Sequence, residues 1–166
     1  MQPAAIKTLD EALKIAPTDA YALSFSGGLH RKQGNLAEAE RLQLAALQAN
    51  DEYHAARYAL ANILIDTGRS REANLQLTRL TTEGREDLAQ YGLARLAARD
   101  GRPADAARHL EKVLSGAMSH PRAILEDNAF AKVWGDPALA PLHRRLVRSS
   151  SAAETSSGHT ATSTGT

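Results

Sequence analysis

The chain has no cysteine, few aromatic residues and almost no net charge, and each lack removes a class of answer. Without cysteine there are no disulfides, no thiolate nucleophile and no thiolate zinc site, while the redox compartment stays open. Aromatics are 4% of the residues, so a core built from the 43% that are apolar must rest on Leu and Ala. Those residues favour helices, and the scarcity of aromatic and β-branched types argues against a β-sandwich. A net charge of +1 with no broad basic face gives nucleic acid nothing to bind to. No apolar run approaches the roughly 18 residues of a membrane span. Met1 to Pro17 is interrupted by Lys7, Asp10, Glu11 and Lys14 and contains no signal-peptide core. A soluble, cytoplasmic protein is the expectation, and an upstream signal would change it.

What is present is a repeat. Gly34-Asn35-Leu36-Ala37-Glu38-Ala39, Gly68-Arg69-Ser70-Arg71-Glu72-Ala73 and Gly101-Arg102-Pro103-Ala104-Asp105-Ala106 follow one another at intervals of 34 and 33 residues. A period of this length signals stacked helical hairpins. The pattern predicts first helices over Ala20 to Lys32, Glu52 to Asp66 and Asp87 to Asp100. Second helices are expected over Leu36 to Asn50, Arg71 to Thr82 and Pro103 to Leu114. Leu75, Leu77 and Leu80 follow helical spacing, as do Leu110, Val113 and Leu114. Each glycine suits a helix stop at positive φ, where a Cβ would be penalised. Asn35 and Ser70 are expected to cap the next helix, and Pro103 to occupy its first turn.

Small residues mark close approach. Gly27, Ala61 and Ala94 form one row, and Ala5, Ala39, Ala73 and Ala106 another. Ala5 predicts that Ala4 to Ile15 is the second helix of an earlier unit whose first helix is absent; a cut is expected in preference to a lone capping helix, because an unpaired second helix exposes the face its partner should cover. These residues resemble the tetratricopeptide repeat family of bacterial type, over about residues 4 to 118. The resemblance implies an all-α fold, an α-solenoid of antiparallel helix pairs with about three units, a leading half-repeat and a C-terminal cap. It departs from the family's pattern where Leu23, Arg57 and Gln90 replace a large aromatic. Leu80 and Val113 replace small residues, and Asp51 and Arg85 replace a closing proline.

Three regions are therefore expected: repeats over 1–118, capping helices over 119–148 and a disordered Ser/Thr-rich tail over 149–166. Phe130, Val133, Trp134, Leu139, Leu142 and Leu146 are the residues expected to cover the last repeat, since a helical stack needs a cap. The tail has no Leu, Ile, Val or Phe to offset the cost of ordering.

Chemistry is sparse. No two of His30, His54, His109, His120, His143 and His159 have metal-ligand spacing, and no cofactor or metal is expected. Ser24-Phe25-Ser26-Gly27-Gly28 fails the nucleophile-elbow and phosphate-loop patterns. The basic cluster His143-Arg144-Arg145 with Arg148 is expected to offset the dipole at the end of a terminal helix. No residue set meets the requirements of catalysis, so no enzyme is expected.

The resemblance places first helices on the concave side. Tyr58 and Tyr91, with Ser24, form one inward row; Gly28, Asn62 and Arg95 a second; Lys32, Asp66 and Arg99 a third. Tyr21, Phe25 and Arg31 flank the first unit. The cations outnumber the one acid, which points to a groove for a protein or peptide of acidic character. Tyr58 and Tyr91 would stack on it and Asn62 would bond its backbone. Tyr and Arg are enriched at binding hot spots. The Lys, Asn and Arg positions used by family members that clamp chaperone tails are Ser24, Gly28, Ala59, Leu88 and Gly92 here, so that activity is not expected. The function implied is an interaction scaffold. The alternative is the recruitment region of a larger glycosyltransferase or kinase whose catalytic part lies outside this chain.

Overall fold

A computed structural model describes residues 2–116 and 121–157. The described residues are helical, in the order α1 Gln2–Ile15, α2 Ala20–Lys32, α3 Leu36–Ala49, α4 His54–Asp66, α5 Ser70–Thr82, α6 Glu86–Arg99, α7 Pro103–Ser115, α8 Pro121–Leu125 and α9 Ala140–Ser157. A short 3-10 turn occupies Asn128–Phe130. The helix ends fall within two residues of those expected. The chain divides into two compact units, Met1–Leu93 and Ala94–Thr166, with the boundary inside α6.

In the first unit neighbouring helices pack as pairs, α2 on α3 and α4 on α5, with α3 also against α4 and α2 against α4. This is the helical-repeat plan expected. α1 packs on α2, and its Leu13 joins a cluster of Leu23, Leu42, Ala46 and Ala56. The side chain of Ala5 lies outside the described residues.

The turns follow from backbone chemistry. Gly34, Gly68 and Gly101 have φ of 81°, 76° and 68°. At each, the glycine N–H donates to the carbonyl three residues back, and the next N–H reaches one residue further into the helix. Asn35 bonds His30 at 2.9 Å, Arg69 bonds Leu64 at 2.8 Å and Arg102 bonds Ala97 at 2.8 Å. Two orphan carbonyls are satisfied at each helix end, and the chain is turned into the next helix. Gly84, at φ 75°, closes α5 the same way, through Arg85 N–H to Leu80. It stands outside the repeated glycine pattern, which is why it was not expected.

Capping by side chains differs from expectation. Asn35 is the N-cap of α3 but makes no capping bond, and Ser70 is the first residue of α5 behind an Arg69 N-cap. Arg69 instead bridges Glu72 of α5 and Glu40 of α3, each at 2.6 Å. Pro103 does open α7.

The described members of the small-residue rows are buried. Ala39, Ala73, Ala106, Ala61 and Ala94 are fully buried. A Cβ on Gly27 would lie 2.6 Å from Gln43 Nε2 and 3.2 Å from the Ala39 carbonyl oxygen. Leu77 and Leu80 fill the core of α5, but Leu75 faces outward at 65% exposure. It is two residues from Leu77, a spacing that puts it off the buried stripe.

In the second unit α8 and α7 both pack on α9. Phe130, Val133, Leu139, Leu142 and Leu146 are buried as expected of a cap, and Trp134 is half-buried. Its ring lies 5.2 Å from Phe130 and 5.1 Å from His143, centroid to centroid. α9 continues to Ser157, into the segment expected to be a disordered tail; 158–166 lie outside the described residues. The basic cluster 143–148 is therefore not in the last turn. Arg145 instead donates to the Leu114 carbonyl at 3.1 Å, satisfying the open end of α7.

Gly68 has open space around its missing Cβ, so only backbone strain opposes a side chain there. Gly68→Val is expected to lose at least about 1 kcal/mol in denaturant unfolding. Gly28→Ala, equally open and within α2, should be neutral or stabilising in the same measurement.

Candidate partner-binding surface

α2 presents Tyr21 and Phe25 one helical turn apart. Their rings are nearly parallel, 9° between planes and 6.1 Å between centroids. They are 65% and 49% exposed. One repeat later the same places hold Ala55 and Ala59, so the aromatic pair belongs to the first repeat alone. Further along α2, a Cβ on Gly28 would meet nothing within 4 Å. At the end of the helix Arg31 Nε and Nη2 both donate to Asp66 Oδ2 of α4, at 2.8 and 2.6 Å. Lys32 beside it is exposed.

The other expected residues are placed differently. Tyr58 and Tyr91 are half-buried, and Asn62 is buried at 6% exposure. All three have interactions within the protein. Arg95 is buried at 7% exposure, and its Nε donates to Asp127 Oδ2 at 2.8 Å. The other oxygen of Asp127 accepts the Ala129 N–H at 2.9 Å, which starts the 3-10 turn of the cap. Arg99 is exposed and also engaged. Tyr21, Phe25, Arg31, Lys32, Tyr58, Asn62, Asp66 and Tyr91 belong to the first unit, Arg95 and Arg99 to the second.

The cationic row is thus largely neutralised. Arg31 is matched by Asp66, and Arg95 by Asp127. The first pairing had a signal in the sequence, since a residue and one 35 later fall on neighbouring repeats. The second did not, because Asp127 lies beyond the periodic region.

The serine-glycine stretch of α2 is packing. Ser24 and Ser26 are buried, and Gln43 Nε2 donates to the Ser24 carbonyl at 2.9 Å across the contact at Gly27. Among the described residues, no three His, Asp or Glu side chains gather as metal ligands. No helix among them is long and apolar enough to cross a membrane.

Comparison with known proteins agrees with this geometry. The tetratricopeptide repeat family model matches residues 3–55 and 58–121. One curated relative is a probable UDP-N-acetylglucosamine–peptide N-acetylglucosaminyltransferase, SPINDLY, of Eustoma exaltatum subsp. russellianum. It is 39% identical over 72 residues, a match that covers 43% of this chain and 8% of that protein.

Arg95→Ala would leave the Asp127 carboxylate buried without this charge partner. Unfolding in denaturant is expected to cost about 3 kcal/mol. A loss within the range of ordinary surface substitutions would show that the pair does not hold the cap.

Proposed function

We propose a mode of action from one premise: the chain belongs to the tetratricopeptide repeat family. Repeats of this family bind proteins or peptides, and the chain is an interaction scaffold. The observation that carries the finer reading is the exposed Tyr21–Phe25 pair. Two apolar rings held parallel in water are a low-entropy anchor for a partner's apolar side chain or peptide plane. On this reading the partner's backbone lies along α2, over the open ground at Gly28, with Lys32 meeting an acidic residue. Tyr58 and Tyr91, half-buried in the same unit, extend the surface. Arg31 and Asp66 are directed to one another, and Arg95, in the other unit, to Asp127. The preference for an acidic partner is then weaker than the count of cations suggests.

The chain carries no catalysis, takes no nucleic acid, and acts in the cytoplasm on this reading. A second reading is favoured by the relative. The matched segment in that protein is part of a much longer chain named as a glycosyltransferase, and this chain would serve as the recruitment region of such an enzyme.

The test is affinity capture with the wild type and with Tyr21→Ala/Phe25→Ala. Partner recovery should fall tenfold or more, on the order of the 1–3 kcal/mol a hot-spot residue carries, with the melting temperature unchanged. Equal recovery by both proteins would remove the aromatic pair from the binding surface.

A further inference from the structure

At one position the second repeat uses charge where the first uses packing. Leu23 and Arg57 occupy equivalent places, and Leu23 is part of an apolar cluster. Arg57, in the first turn of α4, is 2% exposed. Burying a guanidinium is costly unless other charges surround it.

They do, in a closed ring. Arg57 Nη2 donates to Asp51 Oδ1 at 2.9 Å and also to the Asp51 carbonyl. Arg57 Nη1 donates to Gln76 Oε1 at 3.3 Å. Arg57 Nε lies 3.4 Å from Glu83 Oε2. Glu83 Oε1 accepts from Arg79 Nε at 2.8 Å, and Arg79 Nη2 returns to Asp51 Oδ2. Two acids and two arginines alternate, tying the turn after α3, the start of α4 and the end of α5. His54 Nδ1 stands 3.2 Å from the same Glu83 Oε2. Arg57 Nε, His54 Nδ1 and Glu83 Oε2 are buried and make no aligned hydrogen bond, so the Arg57–Glu83 contact is purely electrostatic, and the His54 contact is an ion pair only with the imidazole protonated.

The neighbouring ion pairs lie outside the ring. Glu40 of α3 pairs with Arg69 at the start of α5, and Arg31 of α2 pairs with Asp66 at the far end of α4. The groups that decide its charge are Asp51, His54, Arg57, Arg79 and Glu83.

We propose that this ring is an acid-released clasp: it fixes the start of α4 against the end of α5 while Asp51 and Glu83 are ionised, and lets go when they take up protons. The proposal goes beyond the scaffold reading, although α4 also carries Tyr58 and Asn62.

The direction follows from the surroundings. Hydrogen bonds from Arg57 and Arg79 hold the Asp51 carboxyl below its ordinary range. At Glu83 burial opposes ionisation, but Arg79, Arg57 and His54 together outweigh it and the carboxyl is again held low. A group lowered on folding adds stability above its unfolded value, and that stability is lost as pH falls through the folded value. Release therefore occurs below the usual carboxylate range, and the ring is intact at neutral pH.

The test compares the thermal unfolding of wild type, Asp51→Asn and Glu83→Gln from about pH 7 to about pH 2. Each variant should melt about 3 °C or more below wild type at neutral pH. The gap should close as the pH falls. A gap that stays constant across the range, or none at neutral pH, would overturn the clasp. Hydrogen exchange of Glu83→Gln at neutral pH gives a second reading. Amides of α4 and α5 should lose protection while those of α2 and α3 keep it, and an equal loss in all four helices would contradict the proposal.

Discussion

Everything else in this protein depends on how closely paired helices approach. Ala39, Ala73 and Ala106 in the second helices and Ala61 and Ala94 in the first are fully buried, and at Gly27 even an added Cβ has no room. Interiors are close-packed, so a missing side chain on one helix is matched by backbone or side chain from its neighbour. At Gly27 that neighbour is Gln43, whose amide satisfies the Ser24 carbonyl. The small residues fix the distance between helices, and the positive-φ glycines fix the direction in which each helix returns.

The architecture was legible because it is periodic. Repetition averages out local ambiguity: a lone glycine after a helix is a weak signal, but three at one interval with three matching alanines are not. What escaped was aperiodic. Gly84 closes α5 without a counterpart, Leu75 shares helical spacing with core residues yet points outward, and α9 carries its helix past Ser149. The basic residues 143–148 were placed correctly on a helix, but their task depends on a carbonyl at Leu114 that no local pattern reveals.

The surface was less legible than the fold for a related reason. Reading inward positions off the repeat names side chains without their partners. Arg31 and Arg95 are each met by an acid, and Arg95 of α6 is engaged with Asp127. Net charge along a row is therefore a poor guide to the field that a partner meets. The aromatic pair of α2 is a better one, because exposure of two stacked rings is a property of the side chains themselves. The departure at Arg57 shows the same lesson inside the protein. Where the aromatic of the family's pattern is missing, a ring of charges replaces its packing, and stability becomes sensitive to conditions that leave an apolar contact untouched.

The claim that small residues set the helix spacing is tested most directly by two alanines on one helix. Ala37 is exposed on α3, and Ala39 is fully buried. Denaturant unfolding of Ala37→Leu and Ala39→Leu isolates position from chemistry. The account predicts that Ala37→Leu stays within about 0.5 kcal/mol of wild type and that Ala39→Leu loses about 1–3 kcal/mol through overpacking. Equal stability of the two variants would contradict it.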